Sequence, residues 1–194
     1  MELLVTLSSV LSKQLLGFPG RFGRWREMAQ NQVIEGLQQS FREVMSNVCT
    51  PVSVVTTIVD GRPHGTTVSA FASLSMSPPM VLVALDERSD LLAAVQETRR
   101  FGVNILASEQ SELASTFATK GQGKFDGVAW TDNEALPRLD DGHGWLACEA
   151  VDFVTGGDHV VVIGTVTVAE TTELSPLTYY QRGFGTHAVL EGLA

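Results

Sequence analysis

Residues Gly65 to Pro79 read GTTVSAFASLSMSPP. Taken at a strand's period of two, Thr67, Ser69, Phe71, Ser73, Ser75 and Ser77 fall on one side, and Thr66, Val68, Ala70, Ala72, Leu74 and Met76 on the other. Successive side chains of a strand point to opposite faces, so one face is almost wholly apolar and the other carries small hydroxyls. A solvent-facing side usually recruits Lys, Glu or Asp, and none interrupts this run. Small hydroxyls suit a shelf on which a flat, hydrogen-bonding molecule can lie closely. The rival reading is an exposed Ser/Thr-rich strand that runs into a loop.

Upstream, Val52 to Val59 (VSVVTTIV) is β-branched almost throughout and predicts a strand. The Asp60-Gly61 turn signal joins it to the shelf as a hairpin. Leu37, Phe41, Val44, Met45 and Val48 recur at helical spacing from about Glu35, and Pro51 ends that pattern. Downstream, Pro78-Pro79 breaks the shelf off, and Met80 to Leu85 (MVLVAL) reads as a buried strand. Ser89 is a candidate N-cap for a helix with Leu91, Leu92 and Val95 on its apolar face.

Phe101 to Leu106 predicts another strand. Ser108 then opens a helix with Leu113, Ala114 and Phe117 inward, followed by the polar loop Lys120 to Gly127 and an irregular acidic stretch containing Pro137. Trp145 to Val154 and His159 to Ala169 are strands joined by Thr155-Gly156-Gly157-Asp158, and the tail Pro176 to His187 reads mostly as loop. Six or seven strands with two or three short helices, not in strict alternation, predict a mostly β fold with short helical insertions, an antiparallel barrel rather than a doubly wound parallel sheet.

The length of 194 residues fits one domain with a proper core. A formal charge of −9 argues against general binding to nucleic acid or an anionic membrane, but leaves room for a phosphate-bearing ligand held by a few local cations. Cys49 and Cys148 form no CxxC or metal spacing and read as reduced thiols of a cytoplasmic protein. No apolar run reaches the length of a membrane span. The opening, Met1 to Phe18, imitates a signal peptide only faintly, with Glu2 in place of a basic start and Lys13 inside the apolar run. It is read as part of an N-terminal extension, residues 1–35, ahead of a domain at 36–190.

Two stretches besides the shelf could hold phosphate. Arg88-Ser89 begins a helix, where free N–H groups and the positive end of the macrodipole favour an anion; the rival is an ordinary capped helix with a surface arginine. Lys120-Gly121-Gln122-Gly123-Lys124 offers close backbone approach with two cations, yet matches neither a dinucleotide fingerprint nor a P-loop, because Phe125 follows Lys124. The histidines show no metal spacing, and no nucleophile elbow is present. His159 opens a strand after a Gly-Gly-Asp turn, which places it at a barrel mouth; alternatively it is a turn histidine bonded to Asp158.

Together, TVSAFASLSMSPPMVLVAL, the Arg88-Ser89 pair before a helix, FGVNIL and GGDHVVVIGTV resemble the flavin reductase family, whose fold is the FMN-binding split barrel of Greek-key type. The resemblance spans roughly Phe41 to Gly185. It implies an NAD(P)H:flavin oxidoreductase that transfers hydride from NADH, or NADPH, to FAD or FMN and supplies reduced flavin to a partner monooxygenase or halogenase. It further implies flavin contacts at Thr67, Val68, Ser69, Ala70 and Ser73, a phosphate end at Arg88 and Ser89, a closing segment containing Phe117 and Lys124, nicotinamide positioning by His159, a covering aromatic at Phe184, and a homodimer. The loop KGQGKF and a Phe where Tyr is frequent depart from the family's usual pattern. Two other readings compete: a related oxidase acting on a phosphorylated vitamin-like substrate, which should carry a denser set of cations than 13 Lys and Arg, and a flavin- or haem-binding barrel without turnover.

Overall fold

In the computed structural model the described residues are 22–190, so the signal-like opening up to residue 18 lies outside them. The chain divides into two compact units, Met1–Asn47 and Val48–Ala194. The first contains helix α1 (Phe22–Ser46), which begins thirteen residues before the expected Glu35 and so takes in part of the stretch read as an N-terminal extension. Its last turn is closed locally: the Ser46 hydroxyl and the Asn47 amide both donate to the Glu43 carbonyl.

The second unit is almost all β. Its strands are β1 (Thr50–Pro51), β2 (Ser53–Val59), β3 (Arg62–Val68), β4 (Phe71–Met76), β5 (Pro79–Asp86), β6 (Arg100–Ile105), β7 (Trp130–Asn133), β8 (Leu136–Leu139), β9 (Gly144–Gly156), β10 (His159–Thr171), β11 (Leu177–Tyr180) and β12 (Gly183–Thr186). Helix α2 (Asp90–Thr98) stands between β5 and β6; a 3₁₀ turn (Ser108–Gln110) and helix α3 (Ser111–Ala118) follow β6.

The main sheet has seven antiparallel strands in the order β3-β2-β6-β9-β10-β5-β4. It is open, because its edge strands β3 and β4 do not pair with each other. They are nevertheless consecutive in the chain, separated only by Ser69 and Ala70. Laid flat, the edges of seven strands would stand about 29 Å apart, whereas a two-residue link spans roughly 11 Å at most. The sheet must therefore curl until its edges approach at that link.

This alters the reading of the shelf, which is two strands rather than one. The alternation breaks at Ser69-Ala70, and a bulge at Leu74 breaks it again. Ser73 pairs with Val81 and Ser75 with Met80, so these two hydroxyls lie on opposite faces despite their spacing of two.

The core has two main parts on either side of β2. Val55, Val83, Leu85, Phe101, Val103 and Val162 fill the first, together with Leu91, Leu92 and Val95 of α2. Val54, Leu106, Ala114, Phe117, Leu139 and Leu177 form the second, which α3 and β8 cover. This is why Ser53 to Thr57 are all buried and why the strand reads as an unbroken apolar and β-branched run. Close packing is enforced by two glycines: a Cβ on Gly102 would sit 2.2 Å from the Trp145 ring, and one on Gly164 would sit 2.5 Å from Phe101.

The stretch around Pro137 predicts no strand, because proline cannot donate to a ladder, yet β8 forms there. The Pro137 carbonyl is used instead. Thr56 Oγ1 donates to it at 2.7 Å and Asn104 Nδ2 at 3.3 Å, while the Leu139 amide donates to Asn104 Oδ1 at 2.7 Å. The buried Asn104 is thereby satisfied and pins the hairpin to the sheet.

Candidate functional site

Three segments converge where the sheet edges meet. The first is the link Ser69-Ala70; the Ala84 amide donates to the Ala70 carbonyl at 2.9 Å, fixing the link beside the last turn of β5. The second is Asp86 to Ser89, running from the end of β5 into α2. The third is the β9–β10 turn, where His159 stands opposite Asp86 in the strand register and the Glu87 amide donates to the Asp158 carbonyl at 3.0 Å.

Helix α3 and its following loop close the other side. Thr67 Oγ1 donates to the Ala114 carbonyl at 2.7 Å and Thr66 Oγ1 to the Phe117 carbonyl at 3.4 Å. Lys124 Nζ donates to the Phe117 carbonyl at 3.0 Å and the Gly65 carbonyl at 3.2 Å. Partial burial lowers the Lys124 pKa, while Asp90 in the first turn of α2 pulls the other way. Phe117 and Phe125 meet edge to face with centroids 4.8 Å apart. Gly65 lies under both rings, where a Cβ would be 2.8 Å from Phe117.

The expected residues take different parts in this corner. Ser69, Ala70, Ser73 and Arg88 are exposed, and Val68 and Ser89 are partly so. Thr67 uses its hydroxyl on α3. Phe117 is fully buried, so its ring belongs to the core rather than to a ligand surface. Lys124 is bound to backbone carbonyls and ties the loop to β3. Phe184 lies elsewhere, on the small sheet β1-β11-β12, edge to face with Tyr179 at 5.4 Å. Among the described residues no hydrogen bond, ion pair or ring contact joins Phe184 to the corner.

Two carboxylates complete the corner. Asp86 takes Arg88 Nε on Oδ1 at 3.2 Å and Nη2 on Oδ2 at 3.1 Å, and its Oδ1 also accepts the Arg88 amide at 2.8 Å. These bonds hold the Asp86 carboxyl at about 2 and raise the Arg88 guanidinium further. Asp158 Oδ1 lies 2.8 Å from His159 Nδ1, and this bond lowers the Asp158 pKa. The pair anticipated as the alternative for His159 is therefore present. With Nδ1 donating to Asp158, Nε2 is left as an acceptor. Asp86 escaped the sequence reading because a lone Asp before a helix start reads as turn chemistry.

A flavin nucleotide carries a planar ring edged with donors and acceptors, and a phosphate at the far end of its ribityl chain. The residues present fit such a group. Ser69, Ser73 and Ser89 are exposed or half-exposed, and among the described residues none of their hydroxyls makes a hydrogen bond; Ser89 in particular makes no side-chain cap on α2. Arg88 supplies a guanidinium beside Ser89. Two concavities lie away from this corner. One, of about 410 Å³, is lined by Arg138, Asp140, Asp141, Trp145 and Glu170, among others. The other, of about 390 Å³, includes Cys49, Tyr180 and Phe184. No helix among the described residues is long and apolar enough to cross a membrane.

Residues 45–188 match the flavin reductase like domain. The reductase component of 4-nitrophenol 4-monooxygenase/4-nitrocatechol 2-monooxygenase from Rhodococcus opacus is 40% identical over 159 residues, covering 81% of this chain and 85% of its own. The flavin reductase PheA2 in its native state superposes with a TM-score of 0.73 at 34% identity, covering 78% of this chain and 98% of its own. The NADH:FAD oxidoreductase SgcE6 of Streptomyces globisporus, in complex with NAD and FAD fragments, superposes with a TM-score of 0.74 at 26% identity, covering 81% of this chain and 95% of its own. With the curled antiparallel sheet and the hydroxyl- and arginine-lined corner at its open seam, these matches establish that the chain belongs to the flavin reductase family.

Proposed function

We propose that the chain transfers hydride from NADH to FMN or FAD at the seam between β3 and β4, and that the reduced flavin is passed to a separate monooxygenase or halogenase in the cytoplasm. The observation that carries this reading is the convergence of Ser69-Ala70, Arg88-Ser89 and Asp158-His159 on one corner of the sheet. When bound, the flavin supplies the hydride acceptor. The chain's own residues then have only to hold two rings in register, which is why a site without a nucleophile or a metal can still be catalytic.

In this reading the Ser69-Ala70 link and Ser73 border the ring edge, and Arg88 with the start of α2 receives phosphate. The Asp158-bound His159 presents Nε2 to the nicotinamide carboxamide. Thr67, Lys124 and Phe117 act indirectly: they tie α3 and its loop to β3 and so fix one wall. The open seven-stranded sheet, with its edges joined by a two-residue link, supports reading the fold as a split barrel. The corner is exposed in the single chain, which favours a homodimer that covers it, with Phe184 brought from the second copy as one way of supplying the missing aromatic.

The test is to mix the purified protein with NADH and, in turn, FMN, FAD and riboflavin in air, and to follow the nicotinamide absorbance band. Catalytic loss of that band with free flavin as second substrate supports the reductase. A yellow protein that holds flavin but does not consume NADH contradicts it.

A further inference from the structure

Arg88 does not wait for a ligand with its fork free. Asp86, two residues earlier, already occupies the Nε–Nη2 edge with both carboxylate oxygens, which is the edge-on geometry a phosphate would adopt. The clasp is local and anchored, since the same Oδ1 also accepts the Arg88 amide. Strand pairing sets Asp86 across from His159, and the β9–β10 turn brings Asp158 to the Glu87 backbone. The lone guanidinium at the start of α2 is thus surrounded by carboxylates: Asp86 on it, Glu87 beside it in sequence, and Asp158 across the turn. This is a poor design for a tightly held anionic cofactor and a good one for an anionic substrate that must leave.

We infer that Asp86 is a resident anion which competes with the flavin's phosphate for Arg88 and so keeps flavin a dissociable substrate. The inference rests on the proposed placement of phosphate at Arg88. Either edge of the guanidinium gives the same sign. A phosphate on the Nε–Nη2 edge must displace the Asp86 carboxylate, and one on the free Nη edge still sits within a guanidinium's width of it. The carboxyl is held at about 2, so the opposing charge is permanent at any working pH. Replacing Asp86 by Asn removes the charge but keeps an oxygen for the Arg88 amide, so the turn into α2 survives.

The experiment compares FMN with riboflavin, which has the same ring and no phosphate. Binding is followed by flavin fluorescence for the wild type, Asp86→Asn, Asp86→Ser and Arg88→Ala. Both Asp86 variants should bind FMN about fivefold or more tightly, with riboflavin affinity unchanged and with a lower KM for FMN at a kcat limited by slower release. A merely structural role would shift both flavins together. If Arg88→Ala weakens FMN selectively but neither Asp86 variant tightens it, the competition is refuted while the phosphate site stands. If Arg88→Ala affects FMN and riboflavin equally, the phosphate lies elsewhere and both readings fall.

Discussion

His159 faces Asp86 across the β10–β5 ladder while its ring nitrogen is held by its chain neighbour Asp158, 2.8 Å away. One histidine therefore links the end of β5, which leads into the arginine, to the turn that orients the imidazole. In the proposed reaction, where the chain positions two rings, His159 would act through distance and angle rather than through proton transfer. Loss of the imidazole in His159→Ala should raise the KM for NADH or slow flavin reduction about tenfold, worth roughly 1.4 kcal/mol. Asp158→Asn should give a smaller effect of the same kind, because the ring remains but its tautomer is no longer dictated. Stopped-flow reduction with NADH decides the matter; wild-type kinetics in both variants would remove this turn from the site.

Gly65 carries the wall formed by α3. An added Cβ would lie 2.8 Å from Phe117 and 3.3 Å from Phe125, two rings already packed edge to face. Gly65→Ala should cost about 1–3 kcal/mol by overpacking and should also weaken flavin binding, because the displaced rings precede Lys124 or follow it directly. Thermal melting and flavin titration on the same variant test the two halves of this expectation. An unshifted melting temperature would show that the rings yield without cost.

Thr67 makes the shortest tether between β3 and α3, at 2.7 Å to the Ala114 carbonyl. Thr67→Val keeps the shape and the β-branch but removes the hydroxyl that reaches that carbonyl. The expected loss is about 1 kcal/mol, or a fall of roughly 2–4 °C in melting temperature. Hydrogen exchange at the start of α3 should accelerate in parallel, and unchanged protection there would contradict the tether.

The two cysteines should separate cleanly. Cys49 is exposed, whereas Cys148 is buried and its thiol is pushed up to about 12 by loss of solvent. A thiol reagent at neutral pH should label one cysteine rapidly and the second only after unfolding. The sign of the pH effect follows: between the ordinary value of 9.0 and about 12 the folded chain retains a proton that the unfolded chain loses, so this thiol contributes stability below that window and withdraws it as pH rises through it. Cys148→Ala should flatten that alkaline decline in denaturant melts; an identical slope would assign the decline to other groups.

The strands that were legible from the sequence are those with strong local signals. VSVVTTIV is buried from Val52 to Thr57 and MVLVAL buries every second residue, Val81, Val83 and Leu85, and Asp60-Gly61 provides the two left-handed residues of a tight hairpin, with φ of 50° and 73°. The two hairpins that were missed make the same kind of turn with the wrong residues. Glu134-Ala135 links β7 to β8 with φ of 57° and 58°, and Gln181-Arg182 links β11 to β12 with φ of 47° and 64°. No Gly or Asn occupies the left-handed positions of either turn, so the usual local signal is missing, and the first is held by tertiary contacts such as Asn104 to β8.

The site divides in a similar way. Hydroxyls, an arginine at a helix start and a histidine after a turn are visible as residue types. The break at Ser69-Ala70, the bulge at Leu74 and the Asp86–Arg88 clasp depend on how the sheet folds back on itself, and no alternation pattern encodes them.

The most direct measurement of the central claim is a crystal structure of the chain with FMN bound. The ring should lie along the Ser69-Ala70 link, with the phosphate within hydrogen-bonding reach of Arg88 and the start of α2, and a ring face open toward His159. Density for the flavin in the concavity near Arg138 and Glu170, or in the one beside Cys49 and Phe184, with the β3–β4 seam bare, would contradict it.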